Sequence, residues 1–166
     1  MKQYGRILIV DDDARCVDIL CRLLRKEYEL QTATTGNACL MSLTEFRPHL
    51  VLLDIMMPGI SGHEACRRIK FSPLGESVRI ILVSAKENIV DHTRGSDALA
   101  DDYVVKPFDH EEMLVKVRGQ FDAMDMEADW DSTNSTELSR SDNDMSDEQQ
   151  ARLAAALMRL GGGSRH

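Results

Sequence analysis

The sequence predicts an α/β domain built on a parallel sheet, and three observations carry that prediction. Short apolar, often β-branched runs recur through residues 1–121 with helix-like segments between them, so five strands alternate with five helices. The central run, Leu50 to Leu53, is apolar without alternation, as expected of a strand covered on both faces. Four of the five runs end on ionisable or nucleophilic groups: Asp11 and Asp12, then Asp54, Ser84 and Lys106. In such sheets ligands sit beyond the carboxyl ends of the strands, where the strand order reverses, so those ends form one candidate site.

Taken in order, Ile7 to Val10 is the first strand, and Asp13 caps a helix whose apolar positions from Cys16 to Leu24 are too many to define one stripe. Tyr28 to Ala33 alternates as a second strand. Thr34-Thr35-Gly36 breaks it, Leu40, Leu43 and Phe46 recur at helical spacing within Asn37 to Phe46, and Pro48 ends that helix. The central strand delivers Asp54 into the Pro58-Gly59 turn, and Ser61-Gly62 leads to a helix from His63 to about Lys70. Ser72 to Gly75 reads as a loop, and Val78 to Val83 as a strand ending on Ser84-Ala85-Lys86. Glu87 to Leu99 is moderately helical, with Gly95 weakening its second half. Asp102 to Val105 is the last strand and ends on Lys106-Pro107. Asp109 to Glu112 then opens a helix with Met113, Leu114, Val117 and Phe121 on its apolar face.

Composition narrows the class. At 166 residues the chain holds one ordinary domain and an appendage. No apolar run approaches the ~20 residues of a membrane span, and Met1 to Arg6 leads into a strand without a secretory leader, so a cytoplasmic, non-membrane protein is expected. Cys16, Cys21, Cys39 and Cys66 form no CxxC pair and read as small apolar fillers on helices. The net charge of −8 is uneven: residues 1–121 hold 18 acids against 16 bases, residues 122–166 hold 10 against 4. An acidic tail without a basic stripe argues against direct nucleic-acid binding.

Three carboxylates brought together repel one another unless some are protonated or a hard cation neutralises them. Oxygen ligands without histidine or thiol favour Mg2+ over zinc. A cation there would leave room for a phosphoryl group, which Asp54 could attack in line, with the Ser84 hydroxyl and Lys106 ammonium neutralising the equatorial oxygens. Each group also has a plainer role. Asp54 could cap its turn, Asp11 to Asp13 a helix, Ser84 could be a turn residue and Lys106 a solvated strand end.

The acidic cluster after Ile7 to Val10, the run Leu52-Leu53-Asp54-Ile55-Met56-Met57-Pro58-Gly59-Ile60-Ser61-Gly62, Val83-Ser84-Ala85, and Asp102-Tyr103-Val104-Val105-Lys106-Pro107-Phe108 together resemble the receiver domain of two-component response regulators. The resemblance covers residues 5 to 121 and implies a doubly wound, flavodoxin-like sheet of order 2-1-3-4-5. It implies that Asp54 accepts phosphate from the phosphohistidine of a sensor histidine kinase or a histidine phosphotransfer protein. Asp12, Asp54 and the Met56 carbonyl would bind Mg2+ directly, with Asp11 acting through water, while Ser84 and Lys106 hold the phosphoryl oxygens. It further implies a cis bond before Pro107, and a switch in which Tyr103 turns inward as Ser84 moves, reshaping the face of the fourth helix, fifth strand and fifth helix for a downstream protein target. A homodimer through that face, or through the carboxy-terminal helix, is left open. Two departures stand out: Leu99 where the family commonly has Gly, and no Gly before Tyr28. Met56 is apolar where some relatives orient a hydrolytic water, so slow self-dephosphorylation is expected.

The expected organisation is a receiver domain over 1–121, an acidic disordered linker over 122–145, a short amphipathic helix over 146–160 and a disordered end over 161–166. In the short helix Ser146 to Gln149 is a capping box, and Leu153, Ala156, Leu157 and Leu160 form a stripe. The expected function is a phosphorylation-switched signal carrier whose only catalysis is its own phosphorylation and dephosphorylation. The alternatives are a receiver fragment of a longer regulator and a phosphatase of the haloacid dehalogenase type. The latter also places Asp-x-Asp after a strand, but here Arg15 stands where it needs Thr or Val and no cap domain is evident.

Overall fold

A computed structural model describes residues 5–85 and 99–142, with residues 130–142 described by backbone alone. The chain divides into two units, one ending at Asp122 and one starting at Ala123. The first unit holds the sheet. Its elements are β1 (Arg6–Val10), α1 (Ala14–Leu24), β2 (Glu29–Ala33), α2 (Gly36–Glu45), β3 (Leu50–Asp54), α3 (Gly62–Phe71), a 3-10 turn (Gly75–Ser77), β4 (Arg79–Ala85), β5 (Asp102–Lys106) and the start of α4 (His110–Asp142). The helix expected over 87–99 lies almost wholly outside the described residues, so α4 is the fifth helix of the sequence reading. The amphipathic helix expected over 146–160 and the end over 161–166 also lie outside them.

All five strands are parallel, in the order β2-β1-β3-β4-β5. Alternation of side chains across the sheet divides the core into two layers. Leu8, Val10, Val51, Leu53, Ile80 and Leu82 face Cys39 and Leu43 of α2 and Ala65, Cys66 and Ile69 of α3. Ile7, Ile9, Leu50, Leu52, Ile81 and Val83 face Cys16, Leu20 and Leu24 of α1 and Met113 and Val117 of α4. β3 is buried along its whole length, which explains its unbroken apolar run. The chain reverses between β1 and β3: from β1 it leaves to β2 on one side, and from β3 it continues to β4 on the other. The carboxyl ends of β1 and β3 therefore open a crevice between them.

Local chemistry sets where each helix begins. The side chains of Asp13, Thr35 and Ser61 accept the backbone N–H of Arg15, Ala38 and Glu64. Asp109 does the same for Glu111 and Glu112 at the head of α4. α2 stops at Glu45 because Arg47 adopts φ +50 ahead of Pro48.

The described α4 differs from the linker expected over 122–145, since its backbone stays helical to Asp142. Ala123, Met124, Met126, Glu127 and Ala128 are good helix formers, and they carry the helix beyond Phe121 before the Ser-, Thr- and Asn-rich stretch is reached. Among the described residues no helix is long and apolar enough to cross a membrane.

Candidate functional site

The sheet register gathers the strand ends. Val10 pairs with Leu53, Asp54 with Val83, and Ala85 with Lys106, so Asp11, Asp54, Ser84 and Lys106 emerge at one edge although they span most of the unit. Asp11, Asp54 and Ser84 are buried, at 2%, 6% and 1% exposure, while Asp12 is exposed. Buried carboxylates need partners, and these have them. Asp11 accepts the Asp13 N–H at 2.8 Å and the Lys106 ammonium at 2.6 Å. Asp54 accepts a longer bond from the Met56 N–H at 3.4 Å, a bond from the Ser84 hydroxyl, and has Lys106 Nζ at 3.6 Å.

Lysine therefore serves Asp11 more closely than Asp54, and the electrostatics follow. Burial first, then the Asp11 charge, push the Asp54 carboxyl above its usual 3.8; Lys106, the Met56 N–H and Ser84 only partly offset them. For Lys106, burial alone would lower the ammonium's pKa, but the hydrogen bond and charge of Asp11 outweigh it and raise it. Of the two buried carboxylates, Asp54 is thus the one less closely served by Lys106.

Close backbone packing holds Asp54 in place. Gly62 donates its N–H to the Ile55 carbonyl at 2.8 Å, and a Cβ on Gly62 would fall 2.1 Å from the Asp54 carbonyl oxygen. Only glycine lets the head of α3 approach this strand end. Gly59, at φ +83, turns the loop that follows. In that loop the Met56 side chain is 62% exposed and its backbone follows Asp54 closely.

Asp11, Asp12 and Asp54 each offer a carboxylate oxygen, and the three lie within 4.8 Å of one another. An oxygen-only donor set of this compactness suits a hard divalent cation. The Lys106–Pro107 peptide is cis. Tyr103 lies on β5, half-buried, and packs against the core layer containing Leu82 and Cys66, with burial raising its phenol pKa. Leu99 packs against the same layer.

Some neighbours of the site carried no signal in the sequence. Cys16 is buried as a filler would be, yet burial and a hydrogen bond to Asp11 push its thiol up to about 12. With Arg15, Ile19, Phe108 and His110 it lines a cavity of about 210 Å³ against Lys106. Residues from the head of α1 and the head of α4 meet there only because β1 and β5 deliver them to the same edge, which periodicity does not reveal.

Residues 7–118 match the sequence profile of the response regulator receiver domain. The DNA-binding response regulator MtrA of Mycolicibacterium paratuberculosis is 39% identical over 116 residues, 69% of this chain and 50% of its own length. The sensory transduction protein RegX3 of Mycobacterium bovis is 37% identical over 113 residues, 68% of this chain and 48% of its own. The chain thus spans about half the length of the curated relatives it matches. Among solved structures, the response regulator TrrA of Thermotoga maritima, in complex with Mg2+-BeF, is 37% identical, with a TM-score of 0.64 over 70% of this chain and 98% of its own. Profile, relatives and sheet order agree with the crevice of carboxylates at the ends of β1 and β3, and the chain belongs to the response regulator receiver family.

Proposed function

We propose that this chain is a phosphorylation-switched signalling protein of a two-component system, in which Asp54 takes a phosphoryl group from the phosphohistidine of a sensor histidine kinase or a histidine phosphotransfer protein. The observation that carries this reading is the meeting of the Asp11, Asp12 and Asp54 oxygens within 4.8 Å, with Lys106 Nζ 3.6 Å from Asp54. The Mg2+-BeF complex of TrrA supports it.

Asp12, Asp54 and the Met56 carbonyl would hold Mg2+, with Asp11 contributing through water. When bound, the ion neutralises the carboxylates and the charge on the transferring oxygens. An Asp54 carboxylate oxygen attacks phosphorus, an O–P bond forms, the P–N bond to the donor imidazole breaks, and the imidazole keeps the electron pair. Lys106 turns from Asp11 toward the incoming phosphoryl oxygens, and Ser84 gives its hydroxyl to one of them. Movement of Ser84 empties space into which Tyr103 rotates, changing the surface around β5 and the head of α4 that a downstream protein reads.

Turnover of outside substrates has no part in this scheme; the only catalysis is at Asp54 itself. The receiver comprises residues 1–121, acts in the cytoplasm and makes no direct contact with nucleic acid, since residues 122–166 carry 10 acids against 4 bases. A second reading, a receiver fragment of a longer regulator, is favoured by the half-length match to MtrA and RegX3.

Incubation with Mg2+ and acetyl phosphate, followed by intact-mass measurement, tests the proposal. One phosphoryl group is expected on the parent and none on Asp54→Asn. An unlabelled parent, or steady hydrolysis of phosphate esters without labelling, overturns the proposal; the latter favours the phosphatase.

A further inference from the structure

The end of the sheet opposite the acidic cluster holds a titratable contact that phosphoryl transfer does not use. His49 leads into β3, and its ring Nδ1 accepts the backbone N–H of Arg6 at 3.0 Å. The His49 N–H is given to the Arg6 carbonyl at 2.9 Å, and the His49 carbonyl takes the Arg79 N–H at 2.9 Å. One residue thus joins the starts of β1, β3 and β4. Its ring also stands edge-on to Phe121, with centroids 6.3 Å apart, and Phe121 in turn stacks on Tyr28 at 4.9 Å. Phe121 is the penultimate residue of the first unit. The packing there is tight: a Cβ on Gly5 would fall 2.3 Å from the Phe121 ring.

This geometry specifies a protonation state. A ring nitrogen that accepts an N–H must keep its lone pair, so His49 is neutral with its proton on Nε2. A proton on Nδ1 would set two N–H groups against each other and add a positive charge beside Arg6. The surrounding charged groups offer no relief. Arg6 and Arg79 share its backbone bonds, and the Arg6 guanidinium is held on the Arg47 carbonyl at 2.8 Å. On the helix side, Arg118 is paired with Glu27 at 2.7 Å and Asp122 lies near Tyr28; on the β2 side Glu29 stands opposite Arg6, and Arg25 and Lys26 flank Tyr28. Among the described residues, no carboxylate bonds to His49. Burial first, then Arg6, hold its imidazole below the usual 6.5.

We propose that His49 is an acid-sensitive latch: its protonation releases the Arg6 N–H and loosens the Phe121 contact that fastens the last turn of the receiver unit to the amino ends of β1 and β3. The latch is independent of the chemistry at Asp54. The unfolded chain takes up this proton first, so the stabilisation is complete above 6.5 and is lost as pH falls from there through the lower folded value.

Nuclear magnetic resonance titration of the full chain tests it, with the His49 ring assigned by comparison with His49→Asn. The ring should titrate below 6.5, and the Arg6 amide and Phe121 ring signals should follow the same curve. Asn can offer Oδ1 to the Arg6 N–H without titrating, so in the variant both signals should lose that inflection. Exchange of the Arg6 amide, corrected for its intrinsic rate, should rise severalfold from about pH 7.5 to about pH 5.5 in the parent alone. A midpoint at or above 6.5, or Arg6 and Phe121 signals that ignore it, overturns the proposal. If the variant does not fold, the parent's titration decides.

Discussion

Asp54→Asn removes one negative charge from the crevice while nearly preserving shape, so its effect on stability isolates the electrostatics of the site. The amide oxygen can still accept from the Met56 N–H, and no cavity opens. What changes is the balance of burial and Asp11 repulsion against attraction from Lys106, 3.6 Å from Asp54 but 2.6 Å from Asp11. The raised Asp54 pKa states that this balance disfavours the charged form. An acid raised in the folded state binds its proton more tightly there than in the unfolded chain. Stability therefore falls as pH rises from the ordinary 3.8 through the folded pKa, and the whole penalty is present above it. Single substitutions that remove an unfavourable charge arrangement fall in the range of about 0.5–2 kcal/mol typical of stabilising changes. We expect Asp54→Asn to gain about 1 kcal/mol at neutral pH, some 3 °C in Tm at roughly this domain size, and almost nothing near pH 4. Urea denaturation without Mg2+ at about pH 7.5 and about pH 4 measures both. A variant no more stable than the parent at neutral pH, or equally stabilised at both, would refute the reasoning.

Three further variants test the same geometry. Gly62→Ala should cost about 3 kcal/mol in urea denaturation, because its Cβ would meet the Asp54 carbonyl oxygen at 2.1 Å; a cost under about 1 kcal/mol would mean that α3 shifts freely. Lys106→Met should leave buried Asp11 without its cation, lowering stability by about 2–3 kcal/mol, with part recovered on adding Mg2+. The same variant should label with acetyl phosphate at least about tenfold more slowly, and an unchanged labelling rate would remove Lys106 from the mechanism. Met56→Asn sets a polar group where an exposed methionine stands beside Asp54, and phosphate should leave severalfold faster; mass-monitored decay at the parental rate would rule out that role.

The site was legible to an unusual degree because its residues end strands. Buried strands read as apolar runs, and a charged or hydroxyl group closing each run stands out against them, as at Asp54 and Lys106. Caps were readable for a related reason: Asp13 accepts a bond from a residue only two positions on. Other features left no local trace. Nothing around Pro48-His49 announces a ring nitrogen bonded to Arg6, 43 residues away. Asp101 is also an ordinary acid in sequence, yet just ahead of β5 it accepts bonds from Lys70, Arg79 and the Ile80 N–H. Composition misled over 123–142, where polar content suggested a linker while the first residues favour helix.

By itself the sequence determined the five strands, the Asp13 cap, and the inventory of three acids, a hydroxyl and an ammonium, because these depend on periodicity and on neighbours a few residues apart. Tertiary structure alone decided how the ammonium is shared. Lys106 stands 95 positions from Asp11 and comes within 2.6 Å of it through the register of β1, β3, β4 and β5. That register is a property of the packed sheet, and it is what leaves Asp54 less closely served by the ammonium than Asp11.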